Sequence, residues 1–458
     1  MTRTVGSAPP DGPTALPAET TTTDPGGADR TADLVVRGTT TLLVLVLLTQ
    51  RLLIPVGASP VQVSLLLTYG VVGLLVIGGL FRVDQLRAEL LGLAAVLCLA
   101  ATVVASVTGA TVSVTSLGLL LALYLLWTLR VGPGHTETLQ RVARNFVLVM
   151  VVFALIGVAQ LASQLVGLWS YTDYLGELLP RDFYSQTYNT NIPLAYGSDV
   201  HKGNAFVFLE PSFLSQFCAL GAIVAVVSRA PSWQVVVLVA GVFSAVSGTG
   251  IILLLCAGVL VLVRAWWLIR PVHLVTLGAL ALGVLVSPVA PLLLERVGET
   301  GQTGSSGYLR FVQPYTEVAN AMIAEPMRFL VGAGAGSVER LLPSVRDGEL
   351  GQAVVYTIVP KLLFEYGLLA GGAFVLFIVL ALLDRGAWRV VPGSVLVMIF
   401  FLSGSLLQPH TAIVAWLLTG LWAGQETRID LLPRHRRPSR AGVRRHRRAD
   451  RPVPLPLT

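Results

Sequence analysis

The sequence predicts an all-α polytopic membrane protein with about twelve transmembrane helices and two long extracytoplasmic loops that contain short amphipathic helices. Its 458 residues are 54% hydrophobic and only 12% charged, whereas globular domains are about a quarter charged. Apolar runs near the length of about 20 residues that a bilayer requires recur along nearly the whole chain. Arginines cluster in alternate connections between these runs, as they do in polytopic membrane proteins.

The apolar runs define a transmembrane domain over residues 34–425. Short connections separate most of them, and two much longer connections interrupt the series. The predicted spans are 35–54, 61–81, 88–107, 113–129, 145–168, 208–228, 232–247, 250–269, 272–294, 366–384, 392–408 and 411–424.

The two ends of the chain are polar and are predicted to be cytoplasmic. Residues 1–33 have too little apolar content to fold and are expected to be a disordered tail without the pattern of a cleavable signal peptide. Residues 426–458 are rich in arginine, which is typical of a topology anchor near anionic lipid and does not favour nucleic-acid binding. Three cysteines inside apolar runs are expected to be buried, with no disulfide or metal framework: Cys98, Cys218 and Cys256.

Arginine placement predicts the orientation. The connections at 109–112, 247–250 and 408–410 have no Lys or Arg, and only Arg51 lies near a connection of this set. The positive-inside rule therefore places both termini in the cytoplasm. The arginines of the other set are Arg82, Arg87, Arg130, Arg141, Arg144, Arg229, Arg264, Arg270, Arg385 and Arg389.

This orientation places the two long connections, 169–207 and 295–365, outside the cytoplasmic membrane. Neither ATP nor nucleotide sugars are available there. A glycan donor at this side must therefore arrive already activated, and a lipid carrier is the expected form.

The second long loop contains an arginine between aromatic residues. Apolar spacing of three and four residues predicts an amphipathic helix over Tyr308–Ile323. Arg310 on this helix offers a planar set of donors for phosphate oxygens, with Arg328 further along the loop. The alternative for Arg310 is a salt bridge or a side chain that snorkels at the membrane interface.

A glycine cluster follows at Gly332, Gly334 and Gly336, before a predicted short helix at residues 338–342. Backbone amides in such a turn are able to hold an anion such as a diphosphate. The alternative is a turn with no ligand. The cluster lacks the Lys-Ser/Thr ending of a nucleotide-binding P-loop.

The loop re-enters the membrane through a segment from Tyr356 to Gly371. Lys361 and Glu365 are four residues apart and therefore share one helical face. Lys361 is a candidate phosphate contact and Glu365 a candidate acid/base or positioning group. A mutual ion pair that caps the span is the alternative for both.

The first long loop is dense in aromatic and amide side chains, a mixture that suits sugar rings. An interfacial aromatic belt is the competing interpretation. Its ionisable candidates include Arg181, His201 and Glu210. An unpaired carboxylate at the position of Glu210, where the next span begins, would be costly without a function.

Four segments in this order resemble the O-antigen ligase/O-antigen polymerase (Wzy-type) superfamily of bacterial membrane glycan-assembly proteins. They are FVFLEPSFLSQF, SGTGIILLL, SSGYLRFVQPYTEVANAMIAEPMRFLVGAGAGS and KLLFEYGLLAG. The resemblance covers roughly residues 145–424.

The resemblance implies a GT-C-like, metal-independent glycosyltransferase without a cofactor, which acts on undecaprenyl-diphosphate-linked oligosaccharides. It gives Arg310 the contact with the lipid diphosphate, with Arg181 as the candidate for the arginine of the earlier loop. Membrane lipids, a flippase and chain-length-control proteins are the further partners. Ligases of the superfamily carry a His-Asn pair where this chain has Tyr356-Thr357, which favours a polymerase.

Three other functions remain open at this point. A ligase that moves a finished glycan onto a lipid or protein acceptor is the closest rival, and the missing His-Asn pair counts against it. A polysaccharide or lipid transporter would also have many spans, but spans nearly free of charge leave little for ion coupling. A polyprenyl-phosphate-sugar-dependent transferase usually has acidic residues in the first outer loop, and residues 52–61 have none.

Overall fold

The computed structural model describes residues 25–56, 60–132, 136–186, 188–194, 197–286, 308, 311–341, 356–383, 389–402 and 406–422. Apolar helices dominate these ranges. We label them α1 (Pro25–Thr49), α2 (Val63–Ile77), α3 (Gln85–Val107), α4 (Val114–Leu125), α5 (Thr136–Leu165), α6 (Tyr174–Leu178), α7 (Pro211–Val227), α8 (Ser232–Ser244), α9 (Gly248–Ala265), α10 (Pro271–Val286), α11 (Gln313–Ala324), α12 (Pro326–Val331), α13 (Val338–Leu341), α14 (Ile358–Leu383), α15 (Val390–Val397) and α16 (Pro409–Leu418).

Each predicted span overlaps one helix of this series, so the prediction of a helical membrane protein is confirmed. Among the described residues, five helices are long and apolar enough to cross a membrane by length and composition. The other apolar helices are shorter, and the count of twelve spans remains a prediction. The five are Asp29–Thr49, Gln85–Val107, Glu137–Leu165, Gly248–Leu268 and Ile358–Leu383.

Helix α7 lies in the centre of the bundle. Every residue from Pro211 to Ala225 is buried, as expected for a helix that is apolar on all sides. It packs against α5, α8 and α9. Cys98 and Cys218 are buried as predicted, but the prediction for Cys256 is wrong, because α9 is peripheral there and this thiol is exposed.

The arginine-rich connections meet at one end of the bundle, which we call the arginine end. Strand β3 (Phe81–Val83) pairs antiparallel with β4 (Leu129–Val131), so that Arg82 lies opposite Arg130. The buried guanidinium of Arg87 donates to the carbonyls of Ala381 and Gly420 there. Carbonyls at helix ends carry partial negative charge and suit a cation.

The connections without arginine meet at the opposite end, which we call the loop end. The amide of Ser113 donates to Ala335 O at 2.8 Å, Gly203 N to Ser244 O at 3.1 Å, and Gln408 Nε2 to the Tyr188 hydroxyl at 2.7 Å. The described parts of both long segments therefore lie at the loop end, together with the short connections grouped with them by sequence. The side of the membrane that each end faces remains a prediction.

Arg51, the exception to the arginine pattern, lies at the loop end with its charge neutralised. Its Nη2 contacts both carboxylate oxygens of Asp173, at 2.9 and 2.7 Å, and its Nη1 donates to Phe206 O at 2.8 Å. Next to it, β1 (Leu53–Ile54) pairs antiparallel with β2 (Val61–Gln62). A neutralised arginine is compatible with the predicted outer side.

Candidate active site

Helix α14 is interrupted at Gly367, which has φ 70° and ψ −175°. This left-handed region is accessible to glycine at little cost. The interruption deprives the carbonyls of Phe364 and Glu365 of the amides that a continuous helix would supply four residues later. Backbone groups left open in this way in a membrane protein require other partners.

The glycine cluster supplies those partners. The amide of Ala333 donates to Phe364 O and that of Gly334 donates to Glu365 O, both at 2.8 Å. The two chain segments cross so closely that a Cβ on Gly332 would lie 2.5 Å from Glu365 O, and a Cβ on Gly367 would lie 2.4 Å from Leu330 O. The predicted turn is therefore a backbone crossing that only glycine permits at these positions.

The amide of Gly336 hydrogen-bonds an anion of the protein itself, the Glu365 carboxylate. The amide of Gly332 donates to Arg328 O at 2.8 Å. Together with the bond from Gly334, all three predicted anion-binding glycines use their amides on protein oxygens. A contact between this cluster and a diphosphate remains a prediction.

Lys361 lies between two carboxylates. Its Nζ is 3.0 Å from Glu365 Oε1 and also contacts Glu339 Oε1. Lys361 and Glu365 are almost completely buried, with side chains 6% and 1% exposed, whereas the Glu339 side chain is 53% exposed. The predicted shared face of Lys361 and Glu365 is confirmed, and they form the mutual ion pair that was the alternative to separate roles.

Electrostatics at Glu339 show how strongly Lys361 acts on it. Partial burial raises the pKa of Glu339, but the charge and hydrogen bond of Lys361, with a further contribution from Arg340, hold the pKa of this carboxyl below its usual range. Glu339 is therefore a carboxylate near neutral pH. Lys361, Glu365 and Glu339 together form what we call the lysine cluster.

Helix α11 covers most of the predicted amphipathic helix. It begins at Gln313, because Pro314 fits the first turn of a helix. Glu317 on this helix accepts a hydrogen bond from the hydroxyl of Tyr356, which lies five residues before Lys361 along the chain. The helix thereby fixes the start of α14.

The two candidate arginines of this loop, Arg310 and Arg328, have different outcomes. Arg310 lies outside the described residues, and so does Leu309, whereas Tyr308 and Phe311 on either side are half-buried. Arg328 on α12 pairs with Glu325 at 2.7 Å through a partly exposed contact. Arg328 adjoins the glycine cluster through the Gly332 amide.

A polar network at the loop end anchors the first long segment. The buried Asn204 accepts a hydrogen bond from Gln160 Nε2 through its Oδ1 at 3.1 Å, and its backbone amide donates to Gln160 Oε1 at 3.0 Å. One turn further along α5, Gln164 bonds both backbone groups of His201, at 2.8 and 3.1 Å. The His201 ring packs on Tyr171 with centroids 5.1 Å apart.

The remaining candidates also lie in the first long segment. Glu210 directly precedes α7, is partly exposed and accepts from the Ser212 hydroxyl at 2.9 Å. Arg181 is exposed at the start of a short 3₁₀ turn, Arg181–Phe183. These residues belong to the same end of the bundle as the lysine cluster but to a different segment.

The structure thus gathers Lys361, Glu365, Tyr356 and the three glycines of the cluster, with Arg328 beside them. Sequence reasoning did not single out Glu339 or Glu317, since each contacts a residue more than twenty positions away. Gln160 and Gln164, in contrast, were visible as two polar residues four apart in an apolar helix. Among the described residues, no group of three or more His, Cys, Asp or Glu side chains could hold a metal ion.

Comparison with known proteins identifies the family. A family model described as WcaD colanic acid polymerase matches residues 39–422, far more than half of the chain. A search of curated proteins finds no match. The matched range contains both long segments and the lysine cluster. The chain therefore belongs to the WcaD colanic acid polymerase family, Wzy-type proteins that polymerise lipid-linked repeat units in exopolysaccharide biosynthesis.

Proposed function

We propose that polymerisation takes place at the loop end, on the outer face of the cytoplasmic membrane, in a protein of twelve spans with both termini in the cytoplasm. The separation of the arginine-containing connections from the two long segments supports this orientation. On this side only donors that are already linked to a lipid carrier are available. The substrate is accordingly an undecaprenyl-diphosphate-linked oligosaccharide.

The reaction transfers a growing glycan from its lipid diphosphate to a hydroxyl of another lipid-linked repeat unit. The bond between the anomeric carbon and the phosphate oxygen breaks, and a bond to the acceptor oxygen forms. Negative charge develops on the departing diphosphate, and fixed cations stabilise it. Arg310 is the principal cation in this proposal, with Arg181, Lys361 and Arg328 as the supporting ones. No metal ion is required.

Two carboxylates have different roles in this mechanism. Glu210 is partly exposed at the N-terminus of α7 and is the candidate to orient the acceptor hydroxyl and take its proton. Glu365 is buried against Lys361 and the Gly336 amide. It therefore serves to position Lys361.

The aromatic and amide side chains of the first long segment are the proposed glycan contacts. Tyr171 and His201 pack on each other beside the Asn204 network, and Tyr rings offer apolar faces to the CH faces of sugars. Tyr356 is the corresponding candidate in the second segment.

The burial of Lys361 and Glu365 at the loop end is the observation that carries this proposal. Ionisable groups so deeply enclosed in a membrane protein are expensive, and they mark substrate sites and transport paths. The family polymerises lipid-linked repeat units, and a buried ammonium is a suitable partner for the diphosphate proposed to join each unit to its lipid.

The test is replacement of Arg310 with alanine and with lysine in the producing cell. We expect Arg310→Ala to abolish long polymer and Arg310→Lys to retain part of it, because lysine keeps the charge but loses the planar donor set. Arg141→Ala is the control, since this arginine forms an exposed ion pair with Asp33 at the arginine end. Unchanged polymer length with both Arg310 variants would remove Arg310 from the mechanism.

The glycans that accumulate on the lipid carrier in a deletion strain distinguish a polymerase from a ligase. Single repeat units that accumulate on the carrier indicate lost polymerisation, whereas full-length chains left on the carrier indicate a ligase. Metal independence is tested by treating membranes with EDTA, and we expect polymerising activity to survive this treatment.

A flippase and chain-length-control proteins are proposed as partners that act on the same substrate.

A further inference from the structure

The ammonium of Lys361 contacts one carboxylate that is buried and one that is exposed. Glu365 is enclosed by α14 and by the Gly336 amide, and its side chain is 1% exposed. The Glu339 side chain is 53% exposed and stands on α13, a helix of only four residues. Glu339 therefore lies on the solvent side of Lys361.

A second cation adjoins Glu339. Arg340 Nη2 donates to the backbone carbonyls of Thr111 and Ala335, at 2.7 and 2.8 Å. These acceptors are neutral, so they do not cancel the guanidinium charge. Its Nε is buried and has no hydrogen-bond partner in the described part of the chain. The charge of Arg340 also contributes to the lowered pKa of Glu339.

The same short segment has an unused hydroxyl. Ser337 is 1% exposed, and within the described residues its Oγ has no hydrogen-bond partner. Two cations, Lys361 and Arg340, are balanced by Glu339 and Glu365 while Glu339 is in place. If the Glu339 carboxylate turns into water, the remaining groups carry a net positive charge.

We propose that Glu339 is an exchangeable carboxylate that gives up its place on Lys361 to a phosphate oxygen of the lipid-linked diphosphate, with Lys361, Arg340 and Ser337 as donors. This inference rests on the proposed function of the same site. A diphosphate carries more charge and more acceptor oxygens than a carboxylate, so it is able to engage both cations at once. Glu365 stays in place and keeps Lys361 oriented.

The exchange also explains why the partly exposed Glu339 pairs with the buried Lys361. Without Glu339 the Lys361 ammonium would have one carboxylate partner in a poorly hydrated position, which is costly for a charged group. With Glu339 the charge is satisfied until a stronger anion arrives. If Glu339 served only to hold Lys361 in place, both carboxylate partners of Lys361 would be expected to be buried.

The experiment measures anion affinity in the purified full-length protein in nanodiscs, with inorganic pyrophosphate and farnesyl diphosphate as the probes. Glu339→Gln keeps the size and one carbonyl oxygen but removes the competing charge. We expect its affinity for both probes to rise about tenfold, the scale of one charge-assisted hydrogen bond. Adding Lys361→Met to Glu339→Gln should abolish the gain, and this non-additivity identifies Lys361 as the shared partner.

Glu177→Gln is the matched control, because it removes an exposed carboxylate from the other long segment at the loop end. Its affinities should equal those of the wild type. Glu339→Ala, checked for an unchanged melting temperature, repeats the test without the amide. Unchanged or weaker binding in both Glu339 variants overturns the proposal, and so does a gain for pyrophosphate without one for the lipid probe. Neither result depends on the Arg310 test of polymer length, so the two failures are distinguishable.

Discussion

Arg51 illustrates how a single charged side chain is accommodated at a place where the arginine distribution predicts none. Its side chain is 2% exposed, and its partner Asp173, 122 residues further along the chain, is 26% exposed. Burial raises the pKa of the Asp173 carboxyl, but the hydrogen bonds and charge of Arg51 outweigh this effect and lower it. The pair ties the first long segment to the end of α1.

The two members of this pair should respond differently to removal. Asp173→Ala is expected to destabilise the protein by about 3 kcal/mol, because it leaves the buried charge of Arg51 unpaired. Arg51→Met should cost less, since Asp173 is partly hydrated, and the double variant should recover much of the loss. Thermal unfolding in nanodiscs measures all three. An Asp173→Ala protein no less stable than Arg51→Met would contradict the assignment.

At the scale of the helices, the interruption of α14 and the glycine cluster form one unit. Gly367 ends the regular hydrogen-bonding of the helix, and the amides of Ala333 and Gly334 replace the missing donors. The Gly336 amide extends the same contact to the Glu365 side chain. The position of Lys361 therefore depends on a backbone crossing rather than on the helix alone.

Alanine at either crossing glycine should disturb this unit. Gly332→Ala and Gly367→Ala each place a non-glycine residue at positive φ, which costs about 1–3 kcal/mol before the steric clash is included. Both should lower the melting temperature and shorten or abolish polymer. Gly372→Ala is the control in the same helix, because nothing lies within 4 Å of a Cβ there, and it should be neutral or stabilising. Equal effects at all three positions would argue against the crossing.

Periodicity and charge placement predicted the helices and the grouping of their connections, because both signals are local. The shared face of Lys361 and Glu365 was visible for the same reason, since the two residues are one turn apart. The crossing of Gly332 with Gly367, and the contact of Glu339 with Lys361, depend on how separate segments pack. No spacing rule encodes such long-range contacts, so they appeared only in the structure.

For the whole molecule, the separation of its two ends is the feature from which the mechanism follows. Arg82 and Arg130 meet at the arginine end, whereas both long segments and the lysine cluster lie at the loop end. If the loop end faces outward, the polymerase meets only substrates that are already mounted on lipid. An inward-facing loop end would place the same residues among nucleotide-activated donors and would remove the requirement for a lipid-linked donor.

Accessibility of single cysteines tests this claim most directly. In a chain with Cys98, Cys218 and Cys256 replaced, cysteines are introduced at Glu177 and Asn320 of the loop end and at Gln85 of the arginine end, all exposed positions. The outer layers of the cell are permeabilised while the cytoplasmic membrane stays intact, and a membrane-impermeant thiol reagent is added. It should label Glu177→Cys and Asn320→Cys, and it should label Gln85→Cys only after lysis. Labelling of Gln85→Cys in intact cells, with Glu177→Cys and Asn320→Cys protected, would contradict the account.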